Sequence, residues 1–344
     1  MIHKIPIDQF LKLSETLPVF DVRTNSEFIK GHIPEAHNLP LFTDDERAIV
    51  GTIYNKQGRE KAILQGLDFV GPRMRSMVET IEKETKSRSV LIHCWRGGMR
   101  SGSVAWLVNF FGYEIYTLDG GYKSFRNHIL KQFEILYPFV VIGGRTGSGK
   151  TKILHQLKAN NQQIIDLEGL GNHKGSAFGA IGQPQQPRQE HFENMLGSEL
   201  SKLDLSRPIF IEDESRKVGG LQIPNPIWEQ LRNSPVIFID VPLQHRINYL
   251  VADYGKEDLT ELGKSILRIR ENLGGANTKL AVDYLGQNDL ENCCKILLDY
   301  YDKTYDYGLT IRENVSVKKV NSESENFIGE ILKSAEEFRT HTPV

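Results

Sequence analysis

The chain reads as α/β in class, with two domains, each built on a parallel sheet. Three observations carry that reading. Short β-branched apolar runs alternate with helical segments, the pattern of a parallel sheet covered by helices on both faces. The length of 344 residues suits two domains of about 100–200 residues each. Two glycine-rich loops, one in each half, follow such a run and precede a helix. The expected divisions are a first domain at 1–128, a linking segment at 129–137, and a second domain at 138–344 with a helical C-terminal part.

In the first domain, residues 18–23 (PVFDVR) form a short apolar run ending in charge, and 89–93 (SVLIH) form a second with the β-branched content of a buried strand. Residues 101–111 read as a helix with Val104, Trp106 and Leu107 near its apolar side. A strand at 113–118 then runs into Asp119-Gly120-Gly121, a strong turn signal. The second domain opens with a strand at 139–142, followed at once by a glycine-rich loop and a helix, and later strands are expected at 208–211 and 235–239. One helix near 129–137 is expected to link the halves.

Composition excludes several classes. Hydrophobic residues are 39% and charged residues 25%, as in ordinary soluble proteins. A formal net charge of -2 argues against wholesale non-specific nucleic-acid binding, so any RNA partner must be argued from elsewhere. Three cysteines make no disulfide framework and fit a reducing cytoplasm. The first residues lack the apolar core of a signal peptide, and no stretch approaches the roughly 18 apolar residues of a membrane span.

The segment His93-Cys94-Trp95-Arg96-Gly97-Gly98-Met99-Arg100-Ser101 lies between a strand and a helix. Such a junction aims backbone N–H groups at one point, and the helix N-terminus adds positive potential. Gly97 and Gly98 permit the backbone angles of a cradle; Arg96 and Arg100 add cationic character. These features lower a thiol pKa, and the thiolate is the nucleophile. A core cysteine would need neither the glycines nor the arginines. Cys94 is therefore placed as a nucleophile at an anion site.

Gly144-Arg145-Thr146-Gly147-Ser148-Gly149-Lys150-Thr151 fits G-x-x-x-x-G-K-[ST] completely, in the strand–loop–helix context of a P-loop. The candidate phosphate-binding residues are Gly144, Thr146, Gly147, Ser148, Gly149, Lys150 and Thr151. Lys150 neutralises the terminal phosphate, and Thr151 holds Mg²⁺ where one accompanies the ligand. At the end of a neighbouring strand stand Glu212-Asp213-Glu214. Asp213 or Glu212 is a candidate to bind a metal or orient its water, weighed equally against a plain acidic cluster. Phosphates are what a P-loop reads, so ATP and other diphosphate esters both remain open.

Residues 21–23 (DVR), Glu27-Phe28, 31–38 (GHIPEAHN) and 118–122 (LDGGY) resemble the rhodanese family over roughly residues 1–128. That resemblance implies a sulfur or selenium carrier at Cys94, with His32 and His37 as structural turn residues. The spacing of Cys94, five residues and Arg100 also describes cysteine-dependent phosphatases, which leaves two readings: a phosphatase, or a chalcogen donor that itself carries phosphorus, such as selenophosphate. A rhodanese-like domain followed by a P-loop NTPase-like domain, with Glu212-Asp213-Glu214-Ser215-Arg216, residues 50–54 with Gly58-Arg59-Glu60 and Ala62, and 175–179 (GSAFG), is similar to the tRNA 2-selenouridine synthase family through about residue 280. The resemblance implies a transferase that geranylates wobble 2-thiouridine of tRNA with geranyl diphosphate. It then exchanges the geranyl thiol for selenium from selenophosphate, with no prosthetic group. The alternative reading is an ATP-dependent kinase or NTPase carrying a rhodanese-like sulfurtransferase or phosphatase domain.

Weaker signals complete the reading. Residues 183–189 (QPQQPRQ) form a proline- and glutamine-rich segment that suits either a substrate loop or a plain surface loop. Phe178, Ile181 and Phe192 are candidates to wall a prenyl pocket, although core packing is the commoner use of such residues. Arg216, Lys217, Arg268, Arg270 and Lys279 are candidate RNA contacts. Cys293-Cys294 read as buried helix residues, and no zinc site is expected.

Overall fold

The computed structural model describes residues 1–312 and 315–341; residues 313–314 and 342–344, all within the expected second domain, lie outside the described residues. Two compact units emerge. One holds Met1–Gln132 together with Arg188–Ser198, the other Phe133–Pro187 together with Glu199–Val344.

In the first unit the strands are β1 (Ile2–Ile5), β2 (Val19–Asp21), β3 (His37–Asn38), β4 (Ser89–His93) and β5 (Glu114–Leu118). Their order is β1-β5-β4-β2-β3, and every pair is parallel. The central position of β4 explains its unbroken apolar run, since a parallel strand covered on both faces has no solvent side. Val90, Leu91 and Ile92 are fully buried, and Val90 and Ile92 pack with Phe20, Val104 and Ile115. A helical pair, Asp44–Gln57 and Arg59–Val70, intervenes between β3 and β4. Thr43 and Glu46 start its first helix with a reciprocal capping box, which satisfies two backbone donors at once.

The helix Gly121–Gln132 belongs wholly to this unit, and Phe125 and Ile129 on it are fully buried. The unit border falls after Gln132 rather than across a linking helix. Residues 188–198 also differ from an unbroken second domain at 138–344. Phe192 and Leu196 are fully buried in the first unit, where an apolar stripe at helical spacing needs a partner surface. Fully buried Asn194 fixes the register. Its amide donates to the Tyr122 hydroxyl at 2.7 Å and to the His32 carbonyl at 3.0 Å, and its oxygen accepts from Arg126 at 3.0 Å.

In the second unit the strands are β6 (Phe139–Gly143), β7 (Gln163–Ile165), β8 (Ile209–Glu212), β9 (Lys217–Val218), β10 (Leu221–Gln222), β11 (Val236–Asp240) and β12 (Val317–Asn321). Five of them form a parallel sheet in the order β12-β11-β6-β8-β7, and β9 and β10 make a small antiparallel pair. Strand β6 sits where the order turns, with β8 on one side and β11 on the other, so a crevice opens beyond its C-terminal end. Helices Leu259–Arg268, Gly275–Gly286 and Leu290–Thr310 gather a separate apolar cluster around Leu262, Ile266, Leu285 and Leu297. Among the described residues no helix is long and apolar enough to cross a membrane.

Candidate active sites

The thiol loop follows β4 and ends at the helix Met99–Phe110. Cys94 is 3% exposed, and its Sγ lies 3.2 Å from the Ser101 hydroxyl. Burial raises the thiol; hydrogen bonds from the Ser101 side chain and from the backbone of Ser101, Arg96 and Gly98 outweigh it and hold Cys94 below the ordinary thiol value. The loop is a cradle of donors, and its geometry depends on glycine. Gly97 has φ +64°, and a Cβ there would meet the Leu118 carbonyl at 2.5 Å. Gly121 has φ +61°, and a Cβ there would lie 2.4 Å from both the Cys94 oxygen and the Gly97 nitrogen. The turn after β5 therefore buttresses the loop, and Tyr122 N–H donates to the Cys94 carbonyl at 2.8 Å.

The two arginines differ. Arg96 is exposed at the loop. Arg100 is held by Glu27 at 2.7 Å, both partly buried, so it shapes the wall beside the loop. Below Cys94, the buried pair Asp21–Arg23 closes at 2.6 Å, and the Arg23 guanidinium stacks 3.7 Å above the Tyr122 ring. His93 is fully buried with neither ring nitrogen hydrogen-bonded, Nδ1 lying 3.8 Å from the Asp21 carboxylate, and burial pushes its pKa down. In the sequence His93 heads the spacing of His-Cys, five residues and Arg; only the fold shows that it is fully buried. His32 Nδ1 donates to the Phe28 carbonyl at 2.9 Å, and its ring stacks on Phe28 and His191, the contacts of a structural residue.

In the second unit the P-loop runs from β6 into the helix Lys150–Ala159. Gly147 and Gly149 have φ +81° and +72°, and a Cβ on Gly144 would meet Ser148 Oγ at 2.6 Å. Ser148 is buried with its hydroxyl unpartnered. Lys150 Nζ reaches back to the Gly144 carbonyl at 3.3 Å, and Arg246 donates to the Thr146 carbonyl at 3.1 Å. The Thr151 hydroxyl donates to Glu168 at 2.9 Å. The loop is thus held in shape by neighbouring elements, and its Gly144 N–H donates to the Tyr305 hydroxyl at 2.9 Å.

The acidic groups are redistributed relative to the sequence reading. Asp213 lies on the cavity wall, but one of its oxygens accepts from the Tyr305 hydroxyl at 2.7 Å and the other pairs with Arg312. Glu212 is fully buried, and Glu168 N–H donates to it at 2.8 Å. Burial and the neighbouring Asp166 raise its carboxyl well above the usual range. Glu168 and Glu214 line the cavity together with Lys150. Burial first, then the Glu168 charge, raises Glu214 well above the usual range despite Lys150. Sequence reasoning missed Glu168, whose only signal is its position just after the short strand β7. Among the described residues no group of three or more His, Cys, Asp or Glu side chains is arranged to hold a metal. Thr151 and Glu168 supply oxygen donors of the kind Mg²⁺ prefers, and a diphosphate would have to complete its shell.

A cavity of about 900 Å³ opens on the P-loop. Gly147, Gly149, Lys150 and Thr151 of the P-loop line one part of it, while Phe178, Leu262, Ile266, Leu285 and Leu297 line an apolar part. Of the candidate prenyl-wall residues, Phe178 lines the cavity, Ile181 packs on the same apolar cluster, and Phe192 is buried in the first unit. Cys293 and Cys294 also line it; burial pushes their thiols up to about 12 and about 11, so they act as apolar wall and are poor nucleophiles. In the segment 183–189, Gln183 reaches the cavity, and Gln186 is fastened to the carbonyls of Gly171 and Val218 at 2.8 and 3.0 Å. Arg216 lines the cavity, while Lys217, Arg268, Arg270 and Lys279 are exposed.

A thiol of lowered pKa cradled on one α/β sheet and a P-loop facing a cavity on another define a two-domain protein of the rhodanese plus P-loop class. Residues 7–128 match the Rhodanese-like domain family, and residues 137–336 match the tRNA 2-selenouridine synthase AAA domain. Curated relatives share that description. The tRNA 2-selenouridine synthase of Bdellovibrio bacteriovorus is 35% identical over 95% of this chain and 98% of that one. Its counterpart in Marinobacter nauticus is 33% identical over 89% and 92%. The one in Nitrosomonas europaea is 38% identical over 69% of this chain and 63% of that protein. The chain belongs to the tRNA 2-selenouridine synthase family and is a tRNA-modifying enzyme.

Proposed function

We propose that this enzyme converts wobble 2-thiouridine in tRNA to 2-selenouridine through an S-geranyl intermediate. In the first step the thiocarbonyl sulfur attacks C1 of geranyl diphosphate. The S–C bond forms, the C–O bond breaks, diphosphate leaves and the uridine N3 proton is lost. The alkylated sulfur is a better leaving group than a thiocarbonyl sulfur. In the second step the selenium of selenophosphate takes its place at C2: the C–S bond breaks, the geranyl thiol departs, and water cleaves the Se–P bond so that phosphate leaves and N3 regains a proton.

The observation that carries this reading is the continuity of the P-loop with the apolar part of the cavity. A nucleotide would need polar partners for ribose and base beyond its phosphates. A prenyl diphosphate needs a donor-lined anion site joined to an apolar wall, and each buried methylene adds about 0.8 kcal/mol to binding. The P-loop backbone, Lys150 and Ser148 would hold the diphosphate and stabilise the charge that grows on it as the C–O bond breaks. Cys94 would serve the second step as a nucleophile, its thiolate adding to C2 and expelling the geranyl thiol before the selenium of selenophosphate displaces it in turn. Arg96 and the backbone N–H groups around Gly97 and Gly98 would hold the phosphate of selenophosphate, with Arg100 positioned by Glu27 beside them.

The test incubates 2-thiouridine tRNA with the enzyme and geranyl diphosphate and weighs the wobble nucleoside. The expected product carries one geranyl group. An unmodified nucleoside, together with ATP turnover in the absence of tRNA, would replace this reading by an NTPase.

A further inference from the structure

The cavity has a cationic and aromatic corner that a prenyl diphosphate leaves unused. Trp228 and Arg232 line it from one face of the helix Asn225–Asn233, four residues apart. The Arg232 guanidinium lies 5.5 Å from the Trp228 ring centroid, and its Nη2 donates to the Gly308 carbonyl at 3.0 Å. Arg216, exposed and also lining the cavity, donates to Asn225 at the start of the same helix at 2.6 Å. Arg312 completes the corner and pairs with Asp213. Asp213 accepts from the Tyr305 hydroxyl at 2.7 Å, and that hydroxyl takes the Gly144 N–H. The corner is thus joined to the P-loop by a short chain of bonds.

Charge is out of balance there. The Arg312 side chain is 4% exposed, and its Nε and Nη1 have no partner. Among the described residues Asp213 is the one carboxylate bonded to these three arginines; the bonds of Arg216 and Arg232 go to neutral groups. Burial, and then the Arg312 charge, hold the Arg232 guanidinium below its ordinary value. Cations gathered at a cavity wall with so little answering charge call for an anion from outside the chain.

The ligand of the P-loop does not supply it. Its diphosphate is answered by the loop itself, Tyr305 and Asp213 link the loop to Arg312 through a hydroxyl and a carboxylate, and a prenyl chain carries no charge. The other reactant is tRNA. Each of its nucleotides brings a phosphate, which arginine binds well, and a base, which an aromatic ring takes by stacking as in the recognition of single-stranded RNA. Resting on the reading above that geranylation takes place in this cavity, we propose that Trp228, Arg232 and Arg216 receive the wobble nucleotide of the tRNA. The indole stacks on the base, the two arginines hold a flanking phosphate, and Arg312 adds positive charge behind them. The nucleotide leaves the stack of the anticodon loop to enter, and its sulfur comes to lie beside the diphosphate.

The experiment measures the affinity of the full-length protein for an anticodon stem-loop RNA carrying 2-thiouridine, over a range of salt and without geranyl diphosphate, and separately for inorganic diphosphate and ATP. The variants are Trp228→Leu, Trp228→Phe and Arg232→Gln, the last keeping a donor for the Gly308 carbonyl while removing the charge. Trp228→Leu should weaken RNA binding about fivefold or more, and Trp228→Phe, which still stacks, should stay within about threefold of the wild type. Arg232→Gln should reduce the slope of log affinity against log salt by about 0.7. A methylphosphonate flanking the wobble nucleotide should do the same, and the two losses should not add. Inorganic diphosphate should bind every variant within about twofold of the wild type, as expected for contacts that spare the P-loop.

Wild-type RNA affinity in Trp228→Leu together with a wild-type salt slope in Arg232→Gln would overturn the site. So would weakened diphosphate binding in Arg232→Gln with RNA binding intact, which would give the arginine to the P-loop ligand. Binding of ATP that Trp228→Leu abolishes, again with RNA binding intact, would give the indole to a nucleotide on the P-loop. If Trp228→Leu no longer holds diphosphate, the salt slope of Arg232→Gln decides by itself. The RNA is bound with no prenyl group present, so a wild type that holds it through Trp228 yet never geranylates it removes the prenyl reading and leaves the nucleotide site standing.

Discussion

Burial and hydrogen bonding pull Cys94 in opposite directions, and hydrogen bonding prevails. Because the thiol pKa is depressed, the thiolate persists to lower pH than for a free cysteine. Ser101→Ala removes the nearest donor, so the midpoint of Cys94 alkylation by iodoacetamide, followed against pH, should move upward; an unmoved midpoint would place the control elsewhere. Gly121 is the second residue on which the loop depends. A Gly121→Ala chain must accommodate a Cβ at φ +61°, 2.4 Å from the Cys94 oxygen. Residues held so cost about 1–3 kcal/mol. Urea unfolding of that variant should show a loss of this order, with Cys94 reactivity falling alongside. Gly97 and Cys94 were legible in the sequence because a nucleophilic loop has a signature. The part played by Gly121 was only half legible: Asp119-Gly120-Gly121 reads as a turn, but not as the support against which the loop is moulded.

Among the elements, the helix Gln189–Leu200 and the pair Glu168–Glu214 carry the clearest consequences. Asn194→Ala leaves the Tyr122 hydroxyl and the His32 carbonyl each short of a partner in a buried place, at a cost of about 1–3 kcal/mol. Denaturant titration should register it in the unfolding of the first unit. Glu214 is raised in the folded state, so the folded protein holds a proton that the unfolded chain releases at its ordinary value. Its contribution to stability is therefore lost as pH rises from the ordinary glutamate value through the raised folded one. The same protonated state favours an anionic ligand, so inorganic diphosphate affinity should fall with rising pH over that window. Glu214→Gln should flatten both trends, and a variant with the wild-type slope would assign it to another group. Strands β2, β4, β5, β6, β8 and β11 were legible as apolar runs. The others were not, for physical reasons. β3 spans only two residues, β1 and β7 are short edge strands with partly exposed residues, and β12 (VKKVN) reads as polar because its edge position leaves most of its side chains outside the core.

For the whole molecule, the order of the two loops along the chain was enough to indicate a two-domain α/β enzyme, and the family comparison agrees. The partition was less legible. A helix from the middle of the P-loop half packs with the first unit through Phe192, Leu196 and Asn194, and long-range packing of this kind leaves no local pattern in sequence. The cavity was equally hidden. Phe178, Leu262, Leu285 and Leu297 are far apart in the chain and look like ordinary core residues until the fold brings them together beside Lys150.

The central claim is that two chemical steps are divided between two sites. The most direct measurement of it is the mass of the wobble nucleoside after 2-thiouridine tRNA, geranyl diphosphate and then selenophosphate are supplied to the wild type, Cys94→Ala and Lys150→Ala. The account predicts 2-selenouridine from the wild type, a geranylated nucleoside that accumulates with Cys94→Ala, and unchanged 2-thiouridine with Lys150→Ala. A folded Cys94→Ala protein that neither geranylates nor selenates the tRNA would contradict it.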